Sequence, residues 1–222
     1  ICHSNWSRWG CAGAIGGRHW RTLKSTRRNL RLILRAHHGG ERAEEAWAPF
    51  ARALPIPPVA VAVGHRMDAP GRKEPRFPPG REAAVKEAMR AWIRETGAGF
   101  GVASAAAGTD LLFLEAMLEE GGEVEVLLPY PGTDFVTDSV TYGDEAWRPR
   151  FDACVKASDH VALAAVHRFE EGSSSYEYAN AFLDGMGILR AQDLDTPVVR
   201  LAVWNGRPGD GPGGTAHMAR RW

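Results

Sequence analysis

The 222-residue chain has only three cysteines, Cys2, Cys11 and Cys154, which are too few for a disulfide framework. Their spacing also excludes a paired Cys-x-x-Cys metal site, so a reducing, cytoplasmic environment is the expected location. Apolar runs fall well short of the roughly 18 residues that a membrane-spanning helix needs, and we expect no membrane segment. No apolar stretch follows the basic residues near the start of the chain, so no secretory signal is expected.

Net charge is absent as well, because 27 Lys and Arg side chains balance 27 Asp and Glu side chains. This balance hides an asymmetry along the chain. Residues 1–50 carry nine basic against three acidic side chains, a balance of +6, whereas residues 51–222 carry 18 against 24, a balance of −6. An acidic main part argues against a protein whose whole surface tracks nucleic-acid phosphates.

The first 57 residues differ in pattern from the rest of the chain. Residues 1–21 have no apolar periodicity and are predicted to form a poorly ordered extension. Residues 22–57 contain two helical patterns and are predicted to form a helical linker segment. Pro49 is expected to interrupt the second pattern. The basic face of the first pattern has two interpretations, namely a solvated surface or a site for nucleic acid or an anionic membrane.

The main domain is predicted at 58–222, after a proline-rich boundary. Five short runs rich in Val, Leu and Ala predict strands at 59–64, 100–105, 123–129, 160–165 and 198–205. Helices are predicted between them at 81–96, 109–120, 144–158 and 175–194. Strands that alternate with helices are typical of a parallel sheet covered on both faces. Right-handed crossovers then give an α/β, doubly wound, mainly parallel Rossmann-like sheet with a helical N-terminal extension.

Ligands of such sheets bind beyond the carboxyl ends of the strands, near the switch point in strand order. The loop after the first predicted strand is the most charged of these ends. Its candidate ligand-binding residues are Gly64, His65, Arg66, Asp68 and Arg72. Arginine suits bidentate binding of phosphate, and an imidazole beside a carboxylate can orient a ribose or act as base and partner. The alternative is a polar surface loop whose charges are solvated.

Small residues also precede a helix after the second and after the fifth predicted strand. The candidate ligand-binding residues after the second, third and fifth strands are Ser104, Gly108, Thr109, Asp110, Pro129, Tyr130, Gly213, Gly214 and Thr215. Small side chains let a ligand approach the backbone, and a helix start presents N–H groups and a positive dipole end to an anion. In the alternative interpretation, Gly108 and Thr109 form only a turn and a helix cap.

The stretch GVASAAAGTDLLFLEAMLEEGGEVEVLLPYP at 101–131 combines a strand, a small-residue turn, a helix closed by Gly-Gly and a strand ending in proline. The later stretch GDGPGGTAHMA at 209–219 contains Pro212-Gly213-Gly214-Thr215. Together they resemble the SLOG superfamily, which joins the Smf/DprA fold with the LOG phosphoribohydrolases and has a PGG-x-GT loop that is shortened in this chain. The resemblance covers about residues 59–222 and extends to the sensor-like variant that follows helical-repeat regions in bacterial regulatory proteins.

The resemblance implies that a nucleotide or nucleotide-derived ligand binds at the strand ends and that binding is regulatory. It also implies contacts with other domains of a longer protein and a homodimer, since relatives commonly dimerise. No cofactor is required in this interpretation. The chain begins without methionine and ends just as a further helix is predicted, so we expect it to be a fragment.

Enzymatic activity is the alternative, as a nucleotide phosphoribohydrolase or N-glycosidase. The phosphoribohydrolases carry a glutamate three residues after the loop threonine, where this chain has Met218, so we lean against catalysis. Candidate acids to replace that glutamate are Asp68, Asp110 and Glu115. A P-loop, a G-x-S-x-G elbow and an H-E-x-x-H motif are absent from the sequence, and no metal site is expected. Single-stranded DNA binding, helped by the basic segment at 18–35, is a second alternative.

Overall fold

The computed structural model describes residues 18–169, 174–207 and 213–222. Two helices, α1 (Arg18–His38) and α2 (Gly40–Ala53), precede an α/β body. The strands of the body are β1 (Val59–Gly64), β2 (Phe100–Ala103), β3 (Glu123–Leu128), β4 (His160–Leu163) and β5 (Val198–Val203). Its helices are α3 (Glu82–Thr96), α4 (Thr109–Glu119), α5 (Gly132–Phe135), α6 (Trp147–Ala157), α7 (Ser174–Leu194) and α8 (Thr215–Arg221), with a π-helical turn at Val136–Val140.

The five strands form one parallel sheet in the order β4-β3-β2-β1-β5. In this sheet Val59 of β1 pairs with Phe100 of β2 on one side and with Val198 of β5 on the other. From β1 the chain adds β2, β3 and β4 in one direction. It then returns through α7 and places β5 on the opposite side of β1. This order confirms the predicted doubly wound, Rossmann-like class and puts the switch point between β1 and β5.

Helices cover both faces of the sheet, because successive side chains of a strand point to opposite faces. In β1, Ala60 and Ala62 contribute to the core that contains buried residues of α3, α4 and α6. Val59, Val61 and Val63 contribute instead to the core that contains buried residues of α7 and α8. Burial on both faces explains why β1 is a continuous apolar run rather than an alternating one.

The N-terminal helices differ from the prediction in two places. α1 begins at Arg18, four residues before the predicted linker boundary at 22, and residues 1–17 of the predicted extension lie outside the described ranges. α2 continues through Pro49 to Ala53, so the predicted interruption is wrong. Proline removes only one N–H donor, and the neighbouring turns of α2 retain theirs. Within the residues that the structure describes, no helix is both long enough and apolar enough to cross a bilayer.

Several basic side chains of α1 are paired within the chain. Arg31 and Arg35 both bind the Glu44 carboxylate of α2, at 2.9 and 2.8 Å. Lys24 binds Asp193 of α7. These pairs connect α1 to α2 and to the body, and they reduce the positive charge that α1 can offer to the phosphates of a nucleic acid.

Glu115 of α4 joins three helices through ion pairs. Its carboxylate accepts hydrogen bonds from Arg150 of α6 at 2.6 and 2.8 Å and from Lys86 of α3 at 2.9 Å. Burial alone would raise the pKa of Glu115, but the hydrogen bonds from Arg150 and Lys86 outweigh it and hold the pKa below its usual value. The carboxylate is therefore ionised at neutral pH and stabilises the packing of α3 and α6 on α4.

The substitution Glu115→Gln is expected to lower the free energy of unfolding by about 2 kcal/mol at pH 7, because Arg150 and Lys86 lose their ionised acceptor. The matched control Asp152→Asn, which breaks an exposed pair with Arg148, is expected to cost at most about 0.5 kcal/mol. Because the folded pKa of Glu115 lies below the unfolded value of about 4.3, its contribution is full above that value and is lost as pH falls through the folded pKa. Urea unfolding at pH 7 and pH 3 measures both effects, and equal losses for the two variants at pH 7 would contradict this role.

Candidate functional site

The candidate site, called the crevice below, is a cavity of about 260 Å³ formed where the carboxyl ends of β1, β2 and β3 meet residues of α7 and the start of α8. It lies beside the switch point, where ligands of open parallel sheets bind. Nine of the predicted ligand-binding residues line it, namely Gly64, His65, Arg66, Ser104, Asp110, Pro129, Gly213, Gly214 and Thr215. The fold therefore brings four separate loops of the sequence to one place. Pro212 of the glycine-rich loop lies outside the described residues.

Asp68 and Arg72 line a separate cavity of about 410 Å³ on the other side of the same loop. The buried Asp68 accepts the backbone N–H groups of Arg76 and Phe77 on Oδ2, at 2.8 and 2.9 Å. Its Oδ1 lies 3.4 Å from Nε of Arg72. The Asp68 carboxylate is thus used to shape the loop, and the structure does not bring Asp68 and Arg72, two predicted ligand-binding residues, into the crevice.

Gly108 and Thr109 connect the start of α4 to the loop after β1. The N–H and the hydroxyl of the buried Thr109 both donate to the His65 carbonyl oxygen, at 3.2 and 2.9 Å. Gly108 has φ of 111°, and a Cβ there would lie 2.5 Å from the Met67 nitrogen. A Cβ on Gly64 would lie 2.3 Å from Oγ1 of Thr109. The Thr109 donors that were expected to face an anion are therefore used inside the protein, and neither Gly108 nor Thr109 lines the crevice.

Tyr130 is 1% exposed and is not among the residues that line the crevice. Its hydroxyl lies 3.1 Å from Oδ2 of Asp138 and 3.0 Å from the hydroxyl of Tyr176. Tyr130, a predicted ligand-binding residue, is therefore buried in the core and does not reach the crevice. Tyr176, whose hydroxyl contacts that of Tyr130, lies in the crevice lining.

Two arginines give the crevice a basic side. Arg66 is exposed, donates from Nη1 to the Asp138 carbonyl oxygen at 2.8 Å, and places its guanidinium 4.8 Å from the centre of the Tyr142 ring. Arg76 follows in the same loop and also lines the crevice. Guanidinium groups bind carboxylate and phosphate through paired N–H donors, so this side suits an anionic ligand.

His65 supplies an imidazole that is largely buried beside the two arginines. Its Nε2 lies 3.3 Å from Oδ1 of Asn205. Burial lowers the pKa of His65, the contact with Asn205 opposes this change, and the charge of Arg76 adds to the lowering. The pKa therefore lies below the ordinary value of about 6.5, and the imidazole is neutral at pH 7.

Asp110 is the carboxyl group of the crevice, on the first turn of α4. Its side chain is half-buried, and Oδ2 accepts the N–H of Ala106 at 3.3 Å. Burial raises the pKa of Asp110 to about 7, although the Ala106 N–H and the charge of Arg66 oppose this change. Near neutral pH the group is present in both protonation states, which is the condition that suits a general acid or base.

The structure does not place Glu115, another candidate acid, in the crevice. It lies five residues after Asp110, which is about 140° around a helix of 3.6 residues per turn. This rotation directs it to its ion pairs with Lys86 and Arg150, and it lines neither cavity. Of the three candidate acids, only Asp110 reaches the crevice.

Several crevice residues were not singled out from the sequence as ligand-binding, including Arg76, Tyr176, Asn180 and Leu183. Asn180 donates from Nδ2 to the Gly213 carbonyl oxygen at 2.7 Å and so holds the glycine turn against α7. Positions 176, 180 and 183 are spaced as one face of a helix. That spacing could have identified them once the helix was known to pass the switch point.

In the described part of the chain, no group of three or more His, Cys, Asp or Glu side chains is placed to hold a metal ion. Cys154 is buried, and burial raises the pKa of its thiol to about 11, which leaves it uncharged at neutral pH. No protein-family model and no curated protein matches the chain. The functional proposal therefore depends on the fold and on the geometry of the crevice.

The substitution Asp110→Asn is expected to stabilise the protein more at pH 8 than at pH 4.5, because at pH 8 a neutral amide replaces a half-buried, charged carboxylate. The folded pKa of about 7 exceeds the unfolded value of about 3.9, so the wild-type contribution is full below the unfolded pKa and is lost as pH rises through 7. We expect the difference in unfolding free energy between variant and wild type to grow by about 2–4 kcal/mol over this range.

Urea unfolding at several pH values measures this difference, and an NMR titration of the carboxyl carbon measures the pKa itself. Asp134→Asn, the same substitution at an exposed position, is the matched control. A difference in unfolding free energy between Asp110→Asn and wild type that does not change with pH, or a carboxyl midpoint near 4, would contradict the raised pKa.

Proposed function

We propose that the protein binds a nucleotide-derived anion of mononucleotide size in the crevice and acts as a ligand sensor. The observation that carries this proposal is the meeting of two arginines, a neutral imidazole and a glycine–threonine turn in one cavity at the switch point. In open parallel sheets this position is the usual site of nucleotide binding. The resemblance of 101–131 and 209–219 to the SLOG superfamily supports the same class of ligand.

The lining has a polar and an apolar part. Arg66, Arg76 and Thr215 offer guanidinium and hydroxyl donors for a phosphate or carboxylate group. The apolar part consists of side chains that suit a flat ring, namely Ala62, Leu127, Phe135 and Leu183. A volume of about 260 Å³ lies just below the range of about 300–1,000 Å³ typical of ligand pockets, which favours a mononucleotide over a dinucleotide.

The helix α7 offers a route from the crevice to the N-terminal helices. Tyr176 and Asn180 of α7 line the crevice, and Asp193 near the other end of α7 binds Lys24 of α1. If α7 can occupy two placements against the sheet, a ligand that binds one of them more tightly shifts the population toward it. This shift changes the contacts of α1 with α7. In this proposal the readout of the sensor is the position of α1.

A mononucleotide such as AMP, at 1 mM, is expected to raise the melting temperature of the full chain by several degrees, because binding to the folded state alone stabilises it. The variant Arg66→Ala is expected to lose most of this shift, since it removes a guanidinium from the crevice. Arg72→Ala is the matched control, because Arg72 belongs to the same loop but lines the other cavity.

Thermal-shift measurements with mono-, di- and cyclic nucleotides test both the class and the size of the ligand. Titration calorimetry of the best ligand against both variants then gives the change in affinity. Absence of a shift with every nucleotide, or an equal loss in the Arg66 and Arg72 variants, would remove the basis of the proposal.

A second candidate function is cleavage of the bond between the base and the ribose of a bound nucleotide. The raised pKa of Asp110 in the crevice favours it. Protonated Asp110 would donate a proton to the departing nucleobase as the C1′–N bond breaks, while water adds to C1′ and transfers its proton to the neutral imidazole of His65. Met218 stands where the phosphoribohydrolases carry their glutamate, so Asp110 would take over this role in a site organised differently.

Release of free base from AMP, followed by chromatography, measures this activity. If the chain is a hydrolase, Asp110→Asn is expected to reduce the rate by at least about 100-fold, the usual contribution of a general acid. Glu115→Gln is the control, and once its folding is verified it is expected to keep the wild-type rate. Binding without release of base would leave the sensor function and exclude cleavage of that nucleotide.

A further inference from the structure

The π-helical turn at Val136–Val140, which follows β3, is contacted by the loops after β1, β2 and β4. From the loop after β2, the Ala107 N–H donates to the Ser139 carbonyl oxygen at 2.8 Å. From the loop after β1, Arg66 donates to the Asp138 carbonyl oxygen, also at 2.8 Å. Turns of this kind are rare in proteins and often lie at functional sites.

The Asp138 side chain is shared by a tyrosine and a second arginine. Its Oδ2 accepts a hydrogen bond from the Tyr130 hydroxyl at 3.1 Å and another from Nη1 of Arg168. Arg168 comes from the loop after β4, and its guanidinium carbon lies 5.7 Å from the centre of the Tyr130 ring. Asp138 thus binds Arg66 through its main chain and Arg168 through its side chain.

Hydroxyl groups connect this ion pair to the crevice. The Tyr130 and Tyr176 hydroxyl oxygens are 3.0 Å apart, and both Tyr176 and Arg66 line the crevice. Arg168 is not among the lining residues, and half of its side chain is exposed. Arg168 therefore lies just outside the crevice, next to the wall that Arg66 and Tyr176 form.

The ion pair between Arg168 and Asp138 can be exchanged easily. The two side chains are 50 and 30% exposed, and ion pairs exposed to this degree contribute little to stability. A terminal phosphate offers a guanidinium three acceptor oxygens and more negative charge than a carboxylate does. A phosphate group that reaches this position therefore competes well with Asp138 for Arg168.

We propose that Arg168 binds a second phosphate group of the ligand, and that Asp138 occupies Arg168 when this phosphate is absent. Arg168 acts in this way only if the proposed function holds, because the first phosphate is expected at Arg66. The crevice has a volume of about 260 Å³, which suits a mononucleotide, so a second phosphate extends beyond it toward Arg168. The class of ligand is then a nucleoside diphosphate.

The spacing of the two arginines agrees with this class. Arg66 binds the carbonyl oxygen of Asp138, and Arg168 binds its carboxylate. Because both guanidinium groups contact atoms of one residue, they are close enough to bind two phosphates that share a bridging oxygen. Asp138 keeps the Tyr130 hydroxyl as a donor when Arg168 moves to the phosphate.

The exchange predicts the sign of the effect of a substitution. Asp138→Asn keeps the size of the side chain and an acceptor for the Tyr130 hydroxyl, but it removes the charge that holds Arg168. If the carboxylate competes with the ligand, this variant binds ADP more tightly than wild type does. If the carboxylate only supports the turn, the variant binds ADP equally well or more weakly.

Titration calorimetry of the full chain with AMP and ADP tests the second phosphate site. We expect wild type to bind ADP at least about 10-fold more tightly than AMP, which corresponds to one hydrogen bond with a charged group. Arg168→Ala is expected to lose this preference and to bind AMP as wild type does. Asp138→Asn is expected to bind ADP about 3-fold more tightly than wild type, because an exposed ion pair no longer competes.

The matched controls are Arg148→Ala and Asp152→Asn. They break an exposed ion pair of α6 whose residues line neither cavity, and we expect them to leave both affinities unchanged. The double variant Asp138→Asn/Arg168→Ala is expected to bind ADP no more tightly than Arg168→Ala alone, since no guanidinium remains to be released. A gain in ADP affinity that persists in the double variant would contradict the exchange.

The outcomes separate this site from the proposed function. If wild type binds AMP and ADP equally and Arg66→Ala weakens both, the second phosphate site is overturned and binding in the crevice stands. An ADP affinity that Arg168→Ala leaves unchanged would overturn the site in the same way. Absence of binding by AMP, ADP and every other nucleotide would overturn the site and the proposed function together.

Discussion

The crevice depends on the carbonyl group of His65, which accepts two hydrogen bonds from Thr109. The N–H of His65 donates to the Val203 carbonyl oxygen at 3.0 Å and so continues the pairing of β1 with β5. His65 is thereby fixed to β5 and to α4 at once. The loop after β1 can approach α4 this closely only because positions 64 and 108 are glycines.

Fixing His65 also decides which neighbouring side chains reach which cavity. Arg66 lines the crevice, whereas Met67 and Asp68 line the second cavity on the other side of the loop. Tyr142 contacts Met67 as well as Arg66, since its hydroxyl donates to the Met67 carbonyl oxygen and its ring lies under the Arg66 guanidinium. The loop therefore forms a common wall of two cavities. Hydrogen bonds to the His65 and Met67 carbonyl oxygens hold its backbone in place.

The strands could be predicted from the sequence because each is a short apolar run, and all five start at the predicted residues, from Val59 to Val198. The position of the crevice followed from the general rule for parallel sheets. The role of Thr109 could not be predicted, because a glycine–threonine turn has the same pattern whether its donors face a ligand or a carbonyl group. The orientation of Glu115 depends on the rotation of α4, and the raised pKa of Asp110 depends on its enclosure in the fold. Neither property can be read from neighbouring residues.

The strand β4 lies at one edge of the sheet and is only four residues long. An exposed sheet edge carries unpaired N–H and C=O groups, and strand addition there can repeat without limit, which leads to fibrils. With four residues, β4 offers few unpaired backbone groups to an added strand, so this edge of the sheet is a poor template for such polymers.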